Sequence, residues 1–338
     1  MPNMTSFMFD RFGKHPLTKH QISVPTPKPG EVLVEIKAAA VNPVDIKKRN
    51  GDLRFLLPEK HPAPTGHDFA GIITAVGSAV TDFKVGQRVF GKLDDWHIGS
   101  FADFICVRTK YIAEIPTDWS FEQAAALPLV GLTSYQALHD YLQLKPGQSV
   151  LIPGGSGGIG SIAIPLAKAL GARVTTTASP KNFTRLRALG AEVVLDYHDD
   201  QALSKQPQFD AVFDTRGGQD LIASFDLVKA NGRIVSLNAM PDPQFVADQG
   251  EYFHLNAFKR VILKLASAKV DRLAQKHHVW YRFMLVKSSG QQLQTLTELM
   301  QAHQIQMPID RTFTFADTQT ALDHVEAGHA QGKVVINH

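Results

Sequence analysis

Apolar and polar residues alternate through GEVLVEIKAAAVN (Gly30–Asn42), the period of a strand with one buried face. FAGIITAVG (Phe69–Gly77), VGQRVFG (Val85–Gly91) and ADFICVRTKYIAEIP (Ala102–Pro116) follow as short runs closed by glycine or proline. Strands this short and this close, with no helical period between them, predict a barrel or a folded-over sheet. The period changes near Phe121, where FEQAAALPLVGLTSYQALHDYL is helical in composition and Pro128 and Gly131 interrupt it. From Gln148 onward, apolar strand runs alternate with helices. SVLIPGG leads to a helix over Ile159–Leu170, ARVTTTAS to a helix over Asn182–Leu189, and AEVVLDY closes at Tyr197. FDAVFDTRG precedes a helix over Asp220–Leu227 and the run GRIVSLNA, and VWYRFMLV (Val279–Val286) reads as a last strand. Such alternation predicts a parallel sheet covered on both faces. The C-terminal TFTFADTQTALDHVEAGHAQGKVVINH returns to strand, helix and strand and rejoins the first domain. The predicted division is residues 1–125, completed by about 291–338, and residues 126–290.

Gly155, Gly157 and Gly160 satisfy G-x-G-x-x-G directly after a strand and at the opening of a helix, the context in which the pattern carries weight. The first glycine makes the turn, the second lets backbone approach a pyrophosphate, and the third lets helix pack on sheet. The intervening Ser156, Gly158 and Ile159 present their N–H groups at the helix start, an anion site in its own right. A plain turn between strand and helix also uses glycines, but Gly154 and Gly158 add freedom that packing does not require. An NAD site places an acid about 20 residues on, against the ribose 2′-hydroxyl. Here no carboxylate lies between Arg173 and Arg185, and Ser179, Lys181 and Arg185 stand there instead. A hydroxyl and cations suit a 2′-phosphate, so the expected cofactor is NADPH. A solvated helix start would also use Lys181 and Arg185.

Composition narrows the function classes. The chain has 338 residues, 44% hydrophobic and 20% charged, with a formal net charge of +3. That excess is too small to predict nucleic-acid binding. One cysteine, Cys106, excludes an intrachain disulfide and a cysteine-rich zinc site. The opening MPNMTSFMFDRFGKHP lacks the apolar run of a signal peptide, and no stretch reaches about 18 uninterrupted apolar residues. A cytoplasmic protein without a membrane partner is the expectation.

Six segments together carry a resemblance that spans nearly the whole chain: VNPVDIKKR (Val41–Arg49), PTGHDFAGIITAVG (Pro64–Gly77), AAALPLVGLTSYQAL (Ala124–Leu138), the glycine turn, VFDTRGG (Val212–Gly218) and GKVVINH (Gly332–His338). The chain resembles the medium-chain dehydrogenase/reductases, in the zinc-free quinone reductase and enone reductase branch. The resemblance implies an α/β fold, with a GroES-like β-rich catalytic domain beside a Rossmann doubly wound parallel-sheet domain, and the homodimers of relatives. The zinc-dependent branch places a cysteine ligand where Asn42 stands, a histidine where His67 stands, and a second cysteine after the helix that opens the Rossmann domain. This chain keeps His67 alone, and a catalytic zinc needs about three protein ligands. No metal is expected, and His67 reads more naturally as a packed or hydrogen-bonded residue.

Without a metal, other groups must stabilise negative charge as hydride arrives. In an enone, hydride goes to the β-carbon and charge moves to the carbonyl oxygen, where a few donors suffice. A quinone uses the same donors. The resemblance places an Asn-Pro-Val-Asp-x-Lys element near the nicotinamide, which makes Asn42 and Lys47 the candidate catalytic residues. Asn42 also suits a turn cap before Pro43, Lys47 a surface lysine like Lys48, and Asp45 an N-cap or ion-pair partner. The resemblance further implies cofactor contacts from Thr133, Tyr197, Asn238, the backbone of Phe283–Val286, and Lys333. It also puts the loop Asp94–His97 beside the substrate.

Small enones or quinones are therefore the expected substrates. A non-catalytic NADPH-binding protein keeps the same glycine turn and needs no acceptor site. Phe258, Val261, Ile262 and Leu265 keep helical spacing among Lys259, Arg260, Lys264 and Lys269. That pattern suits a membrane-surface or partner helix, and equally a packed helix with a solvated face.

Overall fold

The computed structural model describes residues 2–199, 201–328 and 330–338. The chain opens with β1 (Asn3–Phe9), β2 (Thr18–Ser23), β3 (Glu31–Val41), α1 (Pro43–Asn50), β4 (Ala63–Pro64) and β5 (Asp68–Val76). It continues with β6 (Arg88–Lys92), β7 (Phe104–Arg108), β8 (Ile112–Glu114), α2 (Phe121–Ala126) and α3 (Pro128–Tyr135). Then come β9 (Ser149–Ile152), α4 (Gly158–Ala169), β10 (Arg173–Ala178), α5 (Phe183–Ala188), β11 (Val193–Asp196) and β12 (Phe209–Asp214). Next are α6 (Gly218–Leu227), β13 (Val228–Ser236), α7 (Pro243–Gln249), α8 (Ala257–Lys276) and β14 (Trp280–Phe283). The chain closes with α9 (Gly290–Ala302), β15 (Ile309–Thr314), α10 (Thr318–Glu326) and β16 (Lys333–Asn337). Two compact units result, one of residues 2–132, 287–302 and 306–338, the other of Thr133–Val286 with His303–Ile305.

In the first unit β3 is the organising strand. It pairs antiparallel with β5, β7 and β16, so one long strand serves three neighbours and the sheet folds over. Sheet order is β15-β16-β3-β5-β6-β8, with β2-β1-β4 as a second, small sheet. The strand alternation read from the sequence becomes a core of Val32, Val34, Ile36, Phe69, Ile73 and Val89, each at most 1% exposed. Proline and glycine act differently from expectation at the following helices. α2 stops before Leu127 and α3 starts at Pro128, whereas Gly131 lies inside α3 without breaking it. Proline lacks an N–H and suits a first helical position; the Gly131 α-carbon lies where a Cβ would come 2.6 Å from a Leu127 side-chain carbon.

The second unit is a six-stranded parallel sheet in the order β11-β10-β9-β12-β13-β14. β9 is central and the strand order reverses beside it, the arrangement of a doubly wound dinucleotide-binding sheet. Leu151, Val212 and Ile234 from three of its strands pack with Leu221 and Phe225 of α6. No helix among the described residues is long and apolar enough to cross a membrane.

The last strand of the first unit ends in a titratable stack. The His338 ring lies on Phe315, centroids 4.0 Å apart, and its side chain is 10% exposed. Burial pushes the imidazole down to about 4, Lys37 adds to the shift, and Asp103 at 4.0 Å only partly opposes it. The unfolded ring takes up its proton near pH 6.5, so between pH 6.5 and 4 the unfolded chain binds more protons and the fold loses stability as pH falls. His338→Phe keeps the stack and removes the proton. Urea unfolding of the two proteins is expected to show the wild type losing about 2–3 kcal/mol more than the variant between pH 7 and 4.5.

Candidate functional site

The glycine turn leaves the carboxyl end of β9 and enters α4. A Cβ on Gly155 would sit 2.2 Å from Thr176 Oγ1, and one on Gly160 would sit 2.5 Å from Gly155 Cα, so both glycines are required by close approach. A Cβ on Gly157 would meet only the Gly154 carbonyl, at 3.7 Å. That glycine faces open space, as a cradle for an approaching pyrophosphate does. The turn is tied to β10 by the N–H groups of Gly154, donating to Thr177 Oγ1 at 3.1 Å, and of Gly155, donating to the Thr177 carbonyl at 3.2 Å. Gly158, Ile159 and Gly160 form the first turn of α4, whose leading N–H groups have no partner within a helix. Ser156 is held by its carbonyl, which accepts from Arg185 Nη2 at 2.9 Å. These residues fit a dinucleotide: a glycine cradle, an anion-binding helix start and an adjacent guanidinium.

The far end of β10 brings the remaining predicted cations to the same edge. Ser179 caps the short turn Pro180–Asn182, with its hydroxyl accepting from Asn182 Nδ2 at 3.1 Å. Lys181 is exposed on that turn, and Tyr197, 53% exposed, lies just beyond β11 against the His198 ring. On the other side of β9, Thr215 donates its hydroxyl to the Pro153 carbonyl at 3.0 Å. Asn238, exposed after β13, donates Nδ2 to the Thr215 carbonyl at 2.8 Å. Asp214, missed in the sequence, organises this corner. It is fully buried and accepts from the N–H groups of Arg216 and Gly217 and from the Ser236 hydroxyl at 2.6 Å. The signal was a carboxylate ending an apolar strand directly before Thr-Arg-Gly-Gly.

Thr133 is buried at the start of the second unit, 3% exposed, inside α3. Phe283 closes β14. Its N–H donates to Asp242 Oδ2 at 2.6 Å and its ring packs edge-on to Phe245, so Phe283 is a core residue. The N–H of Met284 is also engaged, donating to the Ser236 carbonyl at 3.0 Å. Asp242 was the overlooked residue here: it caps α7 through the N–H groups of Gln244 and Phe245, and fixes the end of β14.

In the first unit the predicted catalytic asparagine lies in a buried polar network. Asn42 is the N-cap residue of α1, and its backbone N–H donates to the Asp45 carboxylate at 2.8 Å. Its side-chain Nδ2 donates to Asp68 Oδ2 at 2.9 Å and to the Ala40 carbonyl at 3.3 Å, while Oδ1 accepts from the Lys333 ammonium. Both amide hydrogens and the carbonyl are thus committed within the protein, and Asn42 is fully buried. This corrects the expectation that Asn42 donates to an acceptor oxygen; it positions its neighbours instead. Lys333 is corrected too. Its ammonium, 3% exposed as a residue, faces the Val41 carbonyl at 3.3 Å, Asn42 Oδ1 and Asp68 Oδ2 at 3.5 Å, and so does not reach outward to a phosphate. Burial pulls the Lys333 ammonium below its ordinary value and pushes the Asp68 carboxyl up, with the attraction between them opposing both.

His67 is buried and pairs through Nδ1 with Asp45 Oδ1 at 2.5 Å. Its Nε2 lies 4.0 Å from Asp95. Burial alone would raise the Asp95 carboxyl, but Lys92 at 3.0 Å, with His67 and Lys48, outweighs it and holds the group below the usual range. Lys48 is no surface residue. It is buried, donates to the Asp95 carbonyl at 3.0 Å and pairs with Glu59 at 2.5 Å. Lys47, one residue earlier on α1, remains half-buried. In the loop 94–97, Asp94 is engaged with the Trp96 N–H and with His97 Nδ1 at 2.9 Å.

Comparison with known proteins agrees with this architecture. Residues 28–117 match the alcohol dehydrogenase GroES-like domain, and residues 189–336 match a domain described as zinc-binding dehydrogenase. A mitochondrial NAD(P)H oxidoreductase of Homo sapiens is 31% identical, over 99% of this chain and 89% of its own length. The 2-methylene-furan-3-one reductase of Solanum lycopersicum is 31% identical over 94% of this chain and 74% of its own. The solved quinone oxidoreductase of Coxiella burnetii superposes with a TM-score of 0.85 at 32% identity, over all of both chains.

A zinc ion does not fit the residues present. The Lys333 ammonium already occupies the oxygens of Asn42 and Asp68, and His67 is tied to Asp45. Among the described residues no three His, Cys, Asp or Glu side chains are grouped to hold a metal. Removing the ammonium leaves a buried carboxylate without its counterion. Lys333→Met is expected to cost about 3–5 kcal/mol in urea unfolding, and Lys333→Met with Asp68→Asn to recover at least half of that loss. Equal losses in the single and double variants would show that the ion pair is not what the strand depends on.

Proposed function

Because this chain belongs to the medium-chain dehydrogenase/reductase family, we propose that it reduces the carbon–carbon double bond of small α,β-unsaturated carbonyls with NADPH. The observation that carries the reading is the carboxyl edge of the parallel sheet. There the glycine cradle meets Ser179, exposed Lys181 and Arg185, with no carboxylate from Arg173 to Arg185. A 2′-phosphate is attracted there, and an acid that would hold a bare 2′-hydroxyl is missing. When bound, NADPH supplies a hydride. Gly155, Gly157 and Gly160 with the N–H groups of Ser156, Gly158 and Ile159 take the pyrophosphate, Lys181 and Ser179 the 2′-phosphate, and Tyr197 stacks on the adenine. Asn238 and Thr133 lie toward the nicotinamide half.

Lys47 polarises the acceptor oxygen as negative charge develops on it, and the α-carbon takes its proton from water. Asn42 contributes indirectly: its amide and the Asp45 carboxylate fix the first turn of α1, and hence where Lys47 projects. A quinone accepts hydride with the same donors. That second reading is supported by the full-length likeness to a quinone oxidoreductase.

Two variants test the halves separately. Lys181→Ala is expected to weaken NADPH about 10- to 100-fold in calorimetry and to leave NADH unchanged; tighter binding of NADH by the wild type would overturn the cofactor assignment. Lys47→Met is expected to lower kcat with an enone by about 100-fold at an unchanged NADPH affinity. Unchanged turnover would remove Lys47 from the chemistry, and NADPH binding with no oxidation across enones and quinones would leave a binding protein.

A further inference from the structure

We propose that the outer face of α8 docks on an anionic lipid bilayer. α8 is 20 residues long, about 30 Å. Its inner face is settled. Leu263 and Ser267 are buried, and Val270, Leu273 and Ala274 pack on the second unit's core. Its outer face is not covered by this chain. Phe258 is 71% exposed, Val261 57%, Ile262 36% and Leu265 73%. At 100° per residue these four share one stripe, and Lys269, Arg272 and Lys276, all exposed, continue the same stripe toward the C-terminal end. Exposed Lys264 flanks it.

The charge pattern selects the occupant. The helix carries six basic residues and one acid. That acid, Asp271, is bonded to Ser267 Oγ at 2.8 Å on the inner side. Within the helix, therefore, the outer face offers apolar side chains and cations and no carboxylate; Asp226 of α6 lies beyond its C-terminal end, 3.8 Å from His277. Acyl chains accept the first and anionic headgroups the second, with cations and apolar groups on one helix face acting together. Because the apolar residues occupy the N-terminal two turns, the helix lies tilted, with Phe258 deepest. A second copy of the chain is the competing occupant, and its own basic stripe would leave these cations without a counter-charge. The proposal takes the membrane-surface alternative for this helix over the expectation of no membrane partner, and it stands independently of the proposed reaction.

The test is co-sedimentation of the full chain with vesicles of phosphatidylcholine alone and with about 30% phosphatidylglycerol. Binding to the anionic vesicles is expected to exceed binding to the neutral ones by more than about tenfold, and to fall steeply at about 0.5 M salt. Phe258→Glu with Leu265→Glu is expected to lower it at least tenfold more. Lys269→Gln alone should lower it about fivefold. These residues are exposed, and an unchanged thermal melt verifies that the variants fold. Equal or absent sedimentation with both vesicle types would overturn the proposal. So would a halved molar mass of the Phe258→Glu, Leu265→Glu protein in light scattering, which would assign the face to a second copy.

Discussion

The first unit depends on a lysine ammonium held out of water. Lys333 has three N–H hydrogens and three oxygens facing them, from Val41, Asn42 and Asp68. An unpaired ammonium at that depth would carry a solvation penalty of several kcal/mol, so the acceptors must be in place whenever the strand is. They come from the end of β3, the start of α1 and the start of β5, whereas the lysine opens β16. One ion therefore fastens the C-terminal strand to three segments near the beginning of the chain. The other oxygen of Asp68 accepts the Leu129 N–H at 3.0 Å, which draws the start of α3 into the same arrangement. The register of β16 on β3, with Val334 opposite Val41, follows directly.

The two units were unequally legible in the sequence, for a physical reason. The glycine turn is a local device: strand, turn and helix are contiguous, and the required close approaches are to Thr176 and within the turn itself. The parallel sheet was legible for the same reason, since β9, β10, β12 and β13 are each followed along the chain by a helix. The buried ion network is not local. Lys333 and Asn42 are 291 positions apart, and neither GKVVINH nor VNPVD contains a sign that the other is its partner. Lys333 at the head of a strand reads as an outward cation, which the fold contradicts. The reading of Asn42 as a cap before Pro43 holds, since it is the N-cap of α1, but nothing local shows that its amide is taken up by Asp68 and Lys333. The one local hint was Asp68, a carboxylate following His67 at the head of an apolar strand, which demanded a cation from elsewhere. The helix Gly290–Ala302 and the strand Asn3–Phe9 were passed over too. GQQLQTLTELMQA does carry helical spacing, with Leu293, Leu296 and Met300 buried on one face, so that helix was legible and was missed, whereas NMTSFMF is apolar without alternation.

The same geometry divides the chain's cations by what each is able to do. A cation whose hydrogens all point at fixed oxygens stabilises one arrangement and cannot follow a substrate whose charge develops only during reaction. Lys333, Lys48 and Lys92 are of this kind, each buried and facing carboxylate or carbonyl oxygens. Charge stabilisation in a transition state needs a donor that stands where the charge develops. In the proposed reaction that role is assigned to Lys47 on the same short helix, and the buried cluster serves it by fixing the helix start. The arrangement also explains why a metal has no place here. A divalent ion and an ammonium compete for the same carboxylate and amide oxygens, and the chain has answered that competition covalently, by carrying its cation on β16. What is lost is a Lewis acid able to accept an oxygen lone pair. Conjugated acceptors tolerate that loss better than simple aldehydes or ketones, because their charge is delocalised from the site of hydride attack to an oxygen that ordinary hydrogen bonds can stabilise.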